Sequence, residues 1–346
     1  AIKINLPWSP YRGMNMPQSA TALQMNACRN LSFWEDFIDL LARSRFNVLS
    51  IWSEHPWPFM IRPRNFPRAT PFNDTELAAW NSLHSGIFKL ARDRALIPAL
   101  VDWNVFVSEA YKLHYEPTAH ADVDGGSGPA TVTALANQYN REVITQTLQE
   151  YPDLLGIGLS LGDRVSNLNL TEQLTYAQDV IIAGVKAAGR RVKLIYRAPF
   201  GEGPGSSNSP AVARSFIEKA GIPAEDLYVQ IKFNWSHGHS LVQFIHAHGG
   251  GRGEAYYMPP SDSYKITWMV RNEDFFFLRW GGGDFIREHI AVNGESYVGG
   301  YAIGSEGNIP AFDYAERQSD GWMFEKQWLW YQLWGRLLYD PSTPQS

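Results

Sequence analysis

The sequence predicts an α/β protein, a single (β/α)8 TIM barrel over residues 1–340, with a C-terminal tail or linker remnant at 341–346. Three observations point there. Eight short apolar, β-branched segments recur along the chain, and eight is a number of strands that closes a barrel. Most are followed by a helical pattern, the alternation of a parallel sheet with crossover helices. Polar residues collect where the strand segments stop, which in such barrels is the face that carries the chemistry.

In chain order the expected strands are KINLPW, NVLSIWS, LIPALVDWNVF, LLGIGLSLG, VKLIYRAP, LYVQIKFNW, FFFLRWG and YVGGYAIGS. The first helix is expected over FWEDFIDLLARSR, with Ser32 as its cap and Glu35 three residues on as the partner of a capping box. Helical spacing then marks 75–95, 130–150, 171–188, 210–220, 238–248 and 284–291. A last helix over WMFEKQWLWYQLWGRLLYD has its tryptophans placed to pack on the barrel. Longer connections fall after the third and fifth strands and at 249–265, before the expected seventh. No solenoid repeat or low-complexity tract appears.

Composition narrows the function. With 45% hydrophobic and 19% charged residues, the 346-residue chain can bury a large core. A net charge of −5 with scattered Lys and Arg argues against nucleic acid as a partner. One cysteine, Cys28, excludes an internal disulfide and a cysteine zinc site. No apolar run reaches the ~18 residues of a membrane span, so no membrane insertion is expected. The chain starts with Ala and has no signal-peptide core, which suggests a processed start, and the expected location is secreted or periplasmic. Oligomeric state is open. Aromatic residues make up 14% of the chain, which suits a bulky core or a cleft that stacks sugar rings.

The polar strand ends supply the candidate site. The second strand ends in Trp52, Glu54 and His55, and the third passes through Asp102, Trp103 and Asn104. The fourth ends on Asp163 and Arg164, the fifth on Arg197, the seventh carries Arg279 and Trp280, and the eighth ends on Glu306. In the sixth, Gln230, Lys232 and Asn234 alternate with apolar residues, so one face meets something polar: a ligand at the mouth or a paired network inside the barrel. Glycoside hydrolysis needs one carboxyl to protonate the leaving oxygen and a second to attack or to activate water. Asp163 and Glu306 are the catalytic candidates, and Asp284 is a rival for the second role, although an N-cap explains it equally well. His55, His237 and His239 lack a third ligand at metal-site spacing, so they are expected to bond hydroxyls or carboxylates, with no metal and no cofactor. Serine-hydrolase, nucleotide-binding and zincin motifs do not occur.

RGMNMP near the start, FWEDFIDLLARSRFNVLSIWSEHP, and the acid after the fourth strand give the chain a layout that resembles (β/α)8 glycoside hydrolases, loosely the α-glucuronidase and hexosaminidase types. The resemblance implies the barrel and glycosidase chemistry, with Asp163 as the acid after strand four and Asp284 and Glu306 as late acids. Two departures stand out. Glu would be the more usual acid, and the Asp-Glu pair of hexosaminidases is absent because Arg164 follows Asp163, which argues against acetamido-assisted chemistry. Arg197, Lys232 and Arg279, at consecutive strand ends, suit a carboxylate or sulfate on the sugar. The expected partner is therefore an acidic carbohydrate, uronic or sulfated. A polysaccharide lyase and a noncatalytic carbohydrate-binding barrel are the alternatives.

Overall fold

In the computed structural model, the described residues are 2–5, 26–53, 55–103, 107–121, 130–160, 167–198, 210–232, 254–270, 283–304 and 321–344. Eight parallel strands close a barrel in sequence order: β1 (Ile2–Asn5), β2 (Val48–Ser53), β3 (Ile97–Trp103), β4 (Gly156–Ser160), β5 (Lys193–Arg197), β6 (Leu227–Lys232), β7 (Lys265–Val270) and β8 (Val298–Ile303). The ring is sealed where Ile2 pairs with Ile303.

The helices are α1 (Leu31–Arg43), α2 (Asp74–Asp93), α3 (Glu109–His114), α4 (Ala134–Glu150), α5 (Leu170–Tyr176), α6 (Ala183–Ala187), α7 (Pro210–Glu218), α8 (Glu254–Tyr257), α9 (Gly283–Asn293), α10 (Met323–Lys326) and α11 (Trp328–Tyr339). A π-helical turn, Ala177–Ile182, joins α5 to α6, so the helix expected over 171–188 is continuous but locally wide. The helix expected over 238–248 lies outside the described residues.

Two expectations are corrected. The seventh strand is KITWMV and not FFFLRWG, because Ile266, Trp268 and Val270 alternate onto the helix-facing core while Thr267 and Met269 turn inward. Helix α1 is capped by Asn30 and not Ser32: the Asn30 side chain accepts the Ser32 backbone N–H at 3.0 Å, which moves the helix start back. Asn73 and Asn169 form true capping boxes with Glu76 and Glu172.

Among the described residues, two apolar bodies hold the barrel. The larger lies between strands and helices and takes Leu49, Leu100, Leu159, Leu194, Val229, Trp268 and Ile303 from the outer strand faces. Trp330 and Trp334 of α11 join it, as the helical spacing predicts, whereas Trp328 stays 52% exposed. The smaller body, Trp52, Val101, Met269 and Ala302, fills the lumen. The glycines of β4 make room inside it: a Cβ on Gly156 would stand 2.8 Å from the Ala99 Cβ, and one on Gly158 only 2.6 Å from a Val101 methyl. These glycines therefore accommodate the side chains of β3.

Candidate active site at the barrel mouth

Strand alternation decides which side chains enter the lumen. Because the strands are tilted, inward residues of alternate strands share a level. Ser50, Gly158, Gln230 and Ala302 form one level, Val101, Arg197 and Met269 the next, and Trp52 and Ser160 stand above them with the backbone of Lys232. The described lumen is thus the floor of the mouth.

On that floor Trp52 is buried and its Nε1 donates to the Ser50 Oγ at 3.0 Å. It packs against Val101, Met269 and Ala302, so it supports the floor instead of offering an open stacking face. Arg197, the last residue of β5, is also buried, and its Nη1 donates to the Ser160 Oγ at 3.0 Å, which turns the guanidinium toward the end of β4. A cation inside an apolar lumen is costly unless fixed partners surround it. Gln230 sits beside it in register, with its Oε1 buried and without a hydrogen-bond partner among the described residues.

Asp102 and His55, expected at the mouth, lie behind it. Val101 is inward, so Asp102 faces the helix layer, where it accepts the His55 backbone N–H at 3.1 Å. His55 is fully buried, and its Nε2 lies 2.9 Å from the Tyr139 hydroxyl. Burial holds its pKa down to about 3, so the ring is neutral. Both residues are therefore corrected from substrate contacts to parts of the wall, since alternation and burial turn them away from the lumen.

Asp284 is the second residue of α9, 85% exposed and 3.9 Å from the Arg287 guanidinium. That is the setting of an acid stabilising a helix N-terminus. Trp103 and Lys232 end β3 and β6, and only their backbones are described. Glu54, Asn104, Asp163, Arg164, Asn234, His237, His239, Arg279, Trp280 and Glu306 lie outside the described residues. Arg279 and Trp280 are in any case not on the seventh strand, which ends at Val270.

The corrected seventh strand brings forward residues the sequence pattern passed over. Directly after Val270 the chain reads Arg271, Asn272, Glu273 and Asp274, so a pair of carboxylates follows β7 as Asp163 follows β4. The alternation in KITWMV was the available signal, but the neighbouring FFF run outweighed it. No group of three metal-ligating side chains occurs among the described residues.

No family profile matches the chain, and no curated protein matches it in sequence. Its likeness is structural. A GH138 enzyme targeting pectin rhamnogalacturonan II superposes with a TM-score of 0.73 at 17% identity, over 99% of this chain and 39% of that one. The GH5_18 enzyme of Bifidobacterium longum, solved in complex with Manβ1-4GlcNAc, superposes at 0.57 and 13% identity, over 90% of this chain and 74% of that one. The GH20 β-N-acetylhexosaminidase of Streptomyces coelicolor superposes at 0.52 and 11% identity, over 88% and 61%. The chain thus has the (β/α)8 fold on which these glycoside hydrolases are built. It spans about two fifths of the length of the GH138 protein.

Proposed function

We propose that this barrel is a glycoside hydrolase domain that acts on an acidic poly- or oligosaccharide. The observation that carries the reading is the superposition of nearly the whole chain on an enzyme that targets pectin rhamnogalacturonan II, a polymer whose name denotes galacturonic acid. Arg197 on the lumen floor and Lys232 at the end of β6 agree with an anionic sugar. In this reading Asp163 protonates the leaving glycosidic oxygen, and Glu306 or the newly recognised Glu273 attacks the anomeric carbon or activates water. A carboxyl separation of ~5 Å would give retention, and ~6.5–9.5 Å inversion.

The test is an activity panel of pectic, other uronic and sulfated oligosaccharides, with new reducing ends and ultraviolet-absorbing unsaturated ends followed together. Reducing ends alone support hydrolysis. Unsaturated ends identify a lyase, and binding without either product identifies a noncatalytic barrel.

A further inference from the structure

We propose that Asp102 is a positioning residue: through His55 it fixes the turn that leaves β2, and with it the rim of the barrel mouth. Its catalytic consequence rests on the hydrolase reading above; the mechanical part does not.

The geometry joins three successive barrel units at one buried carboxylate. Asp102 belongs to β3 and is almost fully buried. It accepts the N–H of His55, 47 residues earlier in the chain, at 3.1 Å. His55 has a backbone φ of 59°, a left-handed conformation unfavourable for a residue with a Cβ, so something must hold it. Two anchors do: Asp102 on its backbone, and the Tyr139 hydroxyl of α4 on its ring. From the β4 unit, buried Tyr176 of α5 lies close enough to feel the Asp102 charge. Its phenol is pushed far above its ordinary pKa by burial and then by the Asp102 charge, so it stays a neutral neighbour.

The turn held in this way is short. Trp52, on the lumen floor, and His55 are separated in sequence only by Ser53 and Glu54, the latter a carboxylate of the second strand's end. Freeing His55 would therefore loosen the chain on both sides of that acid.

The experiment compares wild type with Asp102→Ala, Asp102→Asn and His55→Gly, all far below their melting temperatures. Glycine accepts a positive φ without strain, so His55→Gly keeps the turn's backbone while losing the Tyr139 anchor. Amide exchange read by mass spectrometry should rise ~10-fold or more in the peptide spanning β2 and its turn in Asp102→Ala, with β5 to β7 unchanged. Asp102→Asn, which keeps an acceptor, should fall between, and His55→Gly should raise exchange less than Asp102→Ala. On any oligosaccharide the wild type cleaves, kcat in Asp102→Ala should drop ~10-fold or more while KM changes less than about threefold. Exchange that rises evenly over the barrel, or a local rise with unchanged kcat, would overturn the positioning role. If the wild type cleaves nothing, the hydrolase reading fails, and the exchange result alone decides whether Asp102 holds the turn.

Discussion

Two histidines make the stability of this protein depend on pH in a range where ordinary carboxylates are already ionised. His55 and His84 are both fully buried, and burial lowers their pKa values from 6.5 to about 3 and about 4. For His84 a bond between Nδ1 and the Trp80 carbonyl, at 2.9 Å, only partly offsets that burial. The folded values lie below the unfolded ones, so as the pH falls through 6.5 the unfolded chain takes up protons first. The stability these residues contribute is complete above about pH 6.5 and is lost progressively below it, until each folded value is passed. At ~1.4 kcal/mol per pH unit, each histidine loses about 2 kcal/mol by pH 5, about 4 kcal/mol together. That is a large part of the stability of a typical domain. Urea unfolding at pH 7 and pH 5 and constant ionic strength measures it, and His84→Gln should remove about half the difference. A loss below ~1 kcal/mol in the wild type would refute the reasoning, because neither ring could then be neutral and enclosed.

Three further outcomes are expected. A Cβ on Gly335 of α11 would collide with the Ser44 carbonyl oxygen at the end of α1, so Gly335→Ala should lift the helix off the barrel and cost ~3 kcal/mol or more in thermal unfolding. Asn73→Ala should cost about 1 kcal/mol by opening the capping box of α2, while Asn73→Asp, an equally good cap, should be close to neutral in the same melt. In kinetics on a cleaved oligosaccharide, Glu273→Gln should reduce turnover by ~100-fold or more if Glu273 assists Asp163, whereas Asp284→Asn, on an exposed helix turn, should stay within about twofold of wild type.

Most of the fold was legible because the barrel's two periodicities are written plainly. VLSIWS and VQIK alternate, and α1 carries Phe33, Phe37, Ile38 and Leu41 on one face. What misled was hydrophobic strength where alternation was the better guide: FFFLRWG is greasier than KITWMV, but only the latter presents Ile266, Trp268 and Val270 to one side. The same lesson applies to the site. A strand end alone does not say whether Asp102 faces the lumen; the inward position of Val101 turns it to the helix layer. Arg197 was legible as a cation at the end of the fifth strand, but its bond to Ser160 depends on β4 and β5 lying side by side, which no local pattern encodes.

The proposed hydrolysis of acidic glycans, with Asp163 as the proton donor, has an isotopic signature. The most direct measurement digests a pectic oligosaccharide in heavy-oxygen water with wild type and Asp163→Asn, reading the products by mass spectrometry. In the wild type each cleavage should place one heavy oxygen on the fragment that gains the new reducing end and none on the leaving fragment, which keeps the glycosidic oxygen, and turnover should be ~100-fold or more lower in a variant that melts like wild type. Products without heavy oxygen, lighter by one water, or undiminished hydrolysis by Asp163→Asn, would contradict it.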